Sequence, residues 1–307
     1  MGRVSVCSLE TPPKVTLPIE SYIECHSERT DEYSKLNIRE SCLIVDEKYE
    51  LKEKIKIVQI SDLHIDKLFE KEEFSRWIET INKLEADILV FTGDLLDANR
   101  TYTGNTKVLT DGLGSLQAKI GKYAVLGNHD NVKRMNGKAL KLLEKSGFTV
   151  LRNQSIILDG NKIALHGLDI NIDKYKAGDK IETAIRDNLD SNNYNILLCH
   201  YPDLIDYMLD MDYELQLSGH SHAGQVVIGG VPLGETPYGV KYVDGIHYVD
   251  GKTLLVNRGI GYSRYSIRIG APQTVDVINV TTHKIHNIGD CGVKHDEELA
   301  SEEIKSL

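Results

Sequence analysis

From Lys54 onward the chain alternates two kinds of apolar pattern. Short β-branched runs, "IKIVQI", "DILVFTGD" and "KYAVLGNHD", are separated by "EEFSRWIETINKLE" and by a polar helical stretch, and the third is followed by "GKALKLLEKSG". Apolar strands alternating with helical periods are the mark of βαβ units, because a parallel neighbour needs a long crossover to return the chain to the same end of the sheet. In the first helical stretch the spacing turns Phe74, Trp77, Ile78, Ile81 and Leu84 to one side, which predicts a helix packed on that sheet. After Phe148 the rhythm changes. "FTVLRNQSIILDGNKIALHGLD" reads as two strands about an "LDGNK" turn, and "YNILLCH" and "YELQLSGHSHAG" as further strands. "KYVDGIHYVDGKTLLVNRG", with its "VDG" and "DGK" turns, reads as an antiparallel meander. Before Lys54 only "SCLIVDEKYEL" alternates well enough for a strand. The expected organisation is an N-terminal extension with an edge strand (1–50), a main α/β domain (51–285) and an acidic tail (286–307) that forms a short helix or a frayed end.

Five apolar runs stop at once in an Asp, Asn or His: Asp62 and His64, then Asp94, then Asn128 with His129 and Asp130, then His200, then His220 and His222. In α/β sheets the C-terminal strand ends line the ligand crevice, so these groups are expected to converge. Taken singly, an Asp after a strand is usually a turn or cap residue. A lone His is usually a hydrogen-bonded core residue. Six such residues all at strand ends reverse both readings. Asp62, His64, Asp94, Asn128, His200, His220 and His222 form an oxygen and nitrogen set without thiolate, which suits Mn²⁺, Fe or Zn²⁺ over a structural cysteine site. Seven donors exceed one tetrahedral ion and suit two ions sharing a carboxylate, an arrangement that polarises a phosphoryl oxygen and lowers the pKa of a bridging water. His166 follows a strand but fits no ligand slot, so it is either structural or a support for the site. His247, His283, His286 and His295 read as surface residues, and Cys199 as a small buried apolar one. Arg258 and Arg268 could each hold a phosphate oxygen or form a surface ion pair.

Composition narrows the partners. A net charge of −10 over 307 residues argues against a protein that binds the nucleic-acid backbone. A small anionic substrate stays open, because a metal site overrides the global sign locally. Five scattered cysteines without a CxxC pair fit reduced thiols in the cytoplasm. No run is long enough for a membrane span, and neither a signal peptide nor an acylation motif is expected.

In order, "DLH", "GDLLD", "GNHD", "CH" and "GHSH" resemble the calcineurin-like metallophosphoesterase superfamily over about residues 55–280. The continuation "GQVVIGGVPLGETPYGVKYVDGIHYVDGKTLLVNRGIGYSRYSIRIGAP" is similar to the bacterial YkuE/YaeI-like branch of predicted phosphohydrolases. The last metal motif of that branch is usually Gly-His-Thr-His-Gly-Gly-Gln, and its C-terminal signature ends in Pro-Ile-Arg. The resemblance implies a four-layer α/β/β/α sandwich, two mixed sheets flanked by helices, with Asp62, His64 and His222 on one divalent ion. Asp94 would bridge to a second ion held by Asn128, His200 and His220. His129 would protonate the leaving oxygen, held in place by Asp130, and a metal-bridging hydroxide would attack phosphomonoesters or phosphodiesters. Two other functions remain open: hydrolysis of a nucleotide-linked lipid pyrophosphate, for which "TYTGNTKVLTDGLGSLQAKIG" offers no apolar entrance, and non-catalytic binding on the same fold. Asp66, Ser221 and Ala223 depart from the usual Gly, Thr and Gly, and none of them removes a ligand. Asp97 stands where purple acid phosphatases carry an iron-binding Tyr.

Overall fold

The structure, a computed structural model, describes residues 21–282 except 52, 101, 136, 159, 161, 170–184, 235, 264 and 265. The acidic tail, His283, His286 and His295 therefore lie outside the described residues. In chain order the elements begin with strands β1 (Ser21–Thr30), β2 (Asn37–Val45) and β3 (Ile55–Ile60), helix α1 (Lys71–Asn82), β4 (Ile88–Phe91), α2 (Thr106–Ser115), β5 (Gly121–Ala124), α3 (Lys138–Lys145) and β6 (Thr149–Val150). There follow β7 (Gln154–Leu158), β8 (Ile163–Leu168), β9 (Tyr194–Cys199), β10 (Leu215–Ser218), β11 (Val227–Ile228), β12 (Val231–Pro232), β13 (Gly245–Val249), β14 (Lys252–Val256) and β15 (Thr274–Thr281).

Seven strands form one mixed sheet in the order β1-β2-β15-β3-β4-β5-β6, and six form a second in the order β13-β14-β10-β9-β8-β7. The βαβ rhythm accounts for β3 to β6, all parallel neighbours. Leu43, Ile57, Ile88 and Val90 of the first sheet pack against Leu165, Ile196, Leu198, Leu217 and Leu255 of the second, which makes the layer between the sheets. The outer face of the first sheet is covered by α1, α2 and α3 through Phe74, Trp77, Ile78, Ile81, Leu109, Leu113 and Leu142. The expected apolar stripe of α1 is thus the buried one. On the second sheet the described cover is a 3₁₀ segment, Pro202–Tyr207, whose Leu204 packs with Met208, Met211 and Tyr213 on Leu197 and Cys199. The architecture is the expected α/β sandwich of two mixed sheets.

Two expectations change. The antiparallel meander reduces to the hairpin β13–β14, closed at Asp250 and Gly251, both with positive φ as a tight two-residue turn demands. β14 then pairs parallel to β10, and β15 crosses to the first sheet between β2 and β3. A run of strand-like residues with turn signals does not say which sheet each strand joins. The stretch taken as an extension supplies β1 and β2, and the pairing of β2 with β15 makes them part of the first sheet.

Arg39, fully buried on β2, ties this hairpin to both sheets. Its guanidinium pairs with Asp276 of β15 and with Asp244, and donates to the Val256 carbonyl at 2.8 Å. Asn257 donates to the same Asp276 at 2.7 Å. Burying this charge is tolerable only because every partner is present. Arg39→Ala strands Asp276 without its counter-charge and is expected to cost about 3–5 kcal/mol, read by urea denaturation. Replacing Arg39 and Asp276 together by apolar residues should recover much of the loss, and a single-variant cost under about 1 kcal/mol would contradict the assignment.

Candidate metal centre

The parallel strands of both sheets point their C-terminal ends at one spot. From the first sheet come Asp62 and His64 after β3, Asp94 after β4, and Asn128 after β5; from the second come His200 after β9, and His220 and His222 after β10. The chain bends abruptly to deliver them. Asp62, His64, Asp94, His220 and His222 all have positive φ, between 43° and 74°. Such strain in non-glycine residues persists only where the surroundings over-determine it, and it clusters at functional sites. The loops are also pressed together. A Cβ at Gly127 would collide with the Asp94 carboxylate, and one at Gly219 with Ser61 and the Asp62 carboxylate, so neither position admits a side chain.

The two buried carboxylates are held alike. Asp62 accepts through Oδ2 from the Ser61 hydroxyl (2.5 Å) and the His220 backbone N–H (2.9 Å), while its Oδ1 is buried with no hydrogen-bond partner among the described residues. Asp94 accepts through Oδ1 from the His129 backbone N–H (2.8 Å), and its Oδ2 lies 3.5 Å from His64 Nε2 and 3.3 Å from His200 Nε2. One oxygen of each is thus anchored and the other faces the imidazoles. Asp62 Oδ1 is 3.4 Å from His222 Nε2 and 3.7 Å from His64 Nε2, and these two nitrogens are 3.0 Å apart. Two nitrogens each about 2.1 Å from one ion have that separation when they meet it near a right angle. His200 donates through Nδ1 to the Thr92 carbonyl at 2.7 Å, which leaves Nε2 facing Asp94 and, at 3.2 Å, Asn128 Oδ1. His220 donates through Nε2 to the Pro237 carbonyl at 2.8 Å, which leaves Nδ1 as its free donor atom. Among the described residues three three-residue groups result, Asp62-His64-His222, Asp94-His200-His220 and His64-Asp94-His129, each with ligand atoms within 4.8 Å of one another. The donor atoms fit two divalent cations, and the unsatisfied Asp62 oxygen would be a costly defect without one.

The charge balance agrees. Burial works against ionising Asp62 and Asp94, yet the neighbouring imidazoles, His222 and His200 foremost, hold both below the usual carboxylate range. His200, though buried, is pushed up to about 9 by Asp94 and Asp62. Burial pushes His220 down to about 3 and His222 to about 4, the neutral forms that bind metal.

Other expected residues fall differently. His129 stands beside His64, ring centroids 4.6 Å apart, and its Nδ1 accepts from the Ala98 backbone N–H at 3.1 Å. A neutral ring therefore carries its proton on Nε2. The carboxylate beside this ring is Asp97, 3.6 Å from Nδ1. Asp130 was expected to hold the imidazole and instead accepts from the backbone N–H groups of Asp94, Leu95, Leu96 and Gly127, at 2.8 to 3.3 Å. It binds the Asp94 loop to the Asn128 loop. Arg258 and Arg268, each open to a phosphate contact or an ion pair, are both engaged within the protein. All five N–H groups of Arg268 are engaged, by the carbonyls of Gly261, Arg258 and Ala271 and by His222 Nδ1. Arg258 pairs with Glu28 and Asp244. A third guanidinium, that of Arg100, is ion-paired at 2.9 Å to Asp66 and at 3.3 Å to Asp97. Asp97 and Arg100, three residues apart at the end of "GDLLDANR", were legible as an i,i+3 pair, but no local pattern pointed to their partners. Cys199 is buried, its thiol donating to the Tyr201 carbonyl and pushed up to about 12 by burial. His247 is half-buried against Tyr242 and donates to the Asp244 carbonyl. Among the described residues no helix is long and apolar enough to cross a membrane.

Residues 55–224 match the family model described as calcineurin-like phosphoesterase. The chain is 35% identical over 229 residues to the "Uncharacterized metallophosphoesterase YkuE" of Bacillus subtilis, covering 73% of this chain and 78% of that protein. It is 29% identical over 277 residues to an "Uncharacterized metallophosphoesterase" of Aquifex aeolicus, covering 87% and 97%. A bovine "Transmembrane protein with metallophosphoesterase domain" is 28% identical over 233 residues, covering 71% of this chain and 51% of that protein.

His166 proves structural: it is fully buried on β8, accepts from Ser155 Oγ (2.7 Å) and donates to Asn195 Oδ1 (3.1 Å), and burial pulls its pKa below the ordinary value. Below about pH 6.5 the unfolded chain binds a proton that folded His166 refuses, so this residue makes stability fall as pH falls. The stability gap between wild type and His166→Gln should therefore narrow as pH is lowered from about 7 to about 5, measured by urea midpoints. A gap that stays constant or widens would contradict a buried neutral ring.

Proposed function

The chain belongs to the calcineurin-like phosphoesterase family, a phosphoric ester hydrolase that depends on metal, and on that footing we propose that it cleaves phosphomonoesters or phosphodiesters at a dinuclear centre. Asp62, His64 and His222 hold one ion, Asn128, His200 and His220 the other, and Asp94 bridges them. The observation that carries this reading is the position of Asp94 Oδ2, 3.5 Å from His64 Nε2 in one group and 3.3 Å from His200 Nε2 in the other. When bound, two divalent ions supply Lewis acidity toward a phosphoryl oxygen and a water made acidic enough to serve as nucleophile. The donor set contains no thiolate and suits Mn²⁺, Fe or Zn²⁺.

The remaining chemistry belongs to the side chains. His129 presents Nε2 to the leaving oxygen and acts as general acid in its charged form, in which both ring nitrogens carry a proton. Burial works against that form, but Asp97 beside Nδ1 and Asp94 outweigh it and raise the pKa, at the expense of the hydrogen bond that the neutral ring accepts from Ala98. Asp130, through the backbone of Asp94, Leu95, Leu96 and Gly127, fixes the distance between the bridging carboxylate and the loop that carries Asn128 and His129. The nucleotide-linked lipid reading gains one observation. Hairpin β11–β12, which follows His222 closely, exposes Ile228, Val231 and Leu233, an apolar rim that the stretch around α2 does not provide.

Asp94→Asn should abolish turnover and lower metal content, because a neutral amide bridges two cations poorly. Elemental analysis beside a chromogenic bis-ester assay checks this, and two full equivalents of metal with near wild-type turnover would contradict it. His129→Ala should keep its metal and lose turnover by about 10² to 10⁴ on an alkyl ester, and much less on a nitrophenyl ester whose leaving group needs no proton. Equal losses on both esters, or loss of an ion, would show His129 to be a ligand, a role its closeness to His64 and Asp94 permits.

A further inference from the structure

A cavity of about 470 Å³ opens beside His64, between the loop after β3, the first turns of α1 and the segment around Tyr262. It adjoins the candidate metal centre without containing its other ligands. Phe69, Trp77 and Tyr262 line it as aromatic walls, and its polar groups carry both signs: Asp66, Glu70 and Glu73 against Arg76 and Arg100. Arg100 is fixed by Asp66 and Asp97, and its terminal nitrogens donate to Ser266 Oγ (3.2 Å) and the Tyr262 carbonyl (3.0 Å), so each keeps one further N–H.

The lining discriminates among the groups that could be esterified to the phosphate. An acyl chain would take the half-buried Glu73 and Arg76 out of water without partners. An ammonium group would be drawn to the aromatic walls and the carboxylates but meets two guanidinium groups. A second phosphate would meet three carboxylates. A small alkyl group would leave most of the volume empty. A flat, neutral heterocycle avoids all four penalties, because its faces pack on aromatic rings while donors and acceptors on its edge meet carboxylates and guanidinium groups. We infer that this cavity is the subsite for a neutral heteroaromatic arm of the ester, of nucleobase size and hydrogen-bonding pattern. The inference rests on the phosphoesterase reading only for the place of the phosphate beside His64.

Esters that share one leaving group and differ in the other arm test it. The kcat/KM of p-nitrophenyl thymidine 5′-phosphate should exceed that of p-nitrophenyl methyl phosphate by about tenfold or more, carried by KM, the scale of one stacked base. Glu73→Gln should reduce this ratio to about threefold or less. Free adenosine and thymidine, titrated into the metal-loaded protein by calorimetry, should bind, and Glu73→Gln should weaken the binding. A ratio near one in the wild type with neither nucleoside bound overturns the inference. Preference for p-nitrophenyl phosphorylcholine over the thymidine ester also overturns it, in favour of an ammonium arm. If no ester is hydrolysed while a nucleoside binds and Glu73→Gln weakens it, the subsite stands and the reading of the catalytic centre fails.

Discussion

Two carboxylates are buried where the ends of two sheets meet, and keeping them charged is the constraint from which the surrounding structure follows. Asp62 and Asp94 are almost inaccessible to water, and a bare carboxylate there would take up a proton. The fold prevents this by anchoring one oxygen of each on N–H or O–H donors and setting imidazoles around the other. Those imidazoles come from both sheets. The centre therefore exists only when the sheets are packed face to face, and the Leu and Ile layer between them is as much a condition of the chemistry as any ligand.

Precision at the centre comes from backbone held under strain. Five of the candidate ligands occupy left-handed conformations, each costing of order 1–3 kcal/mol. What offsets this is local and specific. Asp130 gathers four backbone N–H groups, His200 reaches across to the Thr92 carbonyl, and the His220 backbone N–H bonds Asp62 on the opposite sheet. Gln59 joins the two sheets beneath the site by donating to Thr92 Oγ1 and the Ser218 carbonyl. Arg39 plays the corresponding role two strands away, level with Gln59, where it closes β2 onto β15 and the end of β14.

The same arrangement explains why basic residues near the centre differ in function. Arg268 spends every donor on loop carbonyls and on His222, so it orients the His222 ring and has no N–H left for another group. Arg258 closes the hairpin β1–β2 against the rim through Glu28. Arg100 alone of the three is shared between a carboxylate beside His129 and a cavity wall, which places charge recognition on the side of the molecule where α1 begins.

The sequence by itself determined the parts that depend on short-range pattern. The alternation of apolar runs and helical periods located β3 to β6, α1 and α3, because burial of one face imposes a period on the residues that make it. The abrupt polar residues after five strands located every candidate ligand, because a ligand must stand where a strand leaves the core. Tertiary structure decided what depends on which strands become neighbours. That β14 lies beside β10 while β15 returns to β3, that Asp97 rather than Asp130 faces His129, that Arg268 is fully engaged, and that a cavity lies between Tyr262 and α1 are all contacts between residues distant in the chain. No periodicity encodes them, since a pattern of apolar and polar positions fixes which face of an element is buried but not what is buried against it.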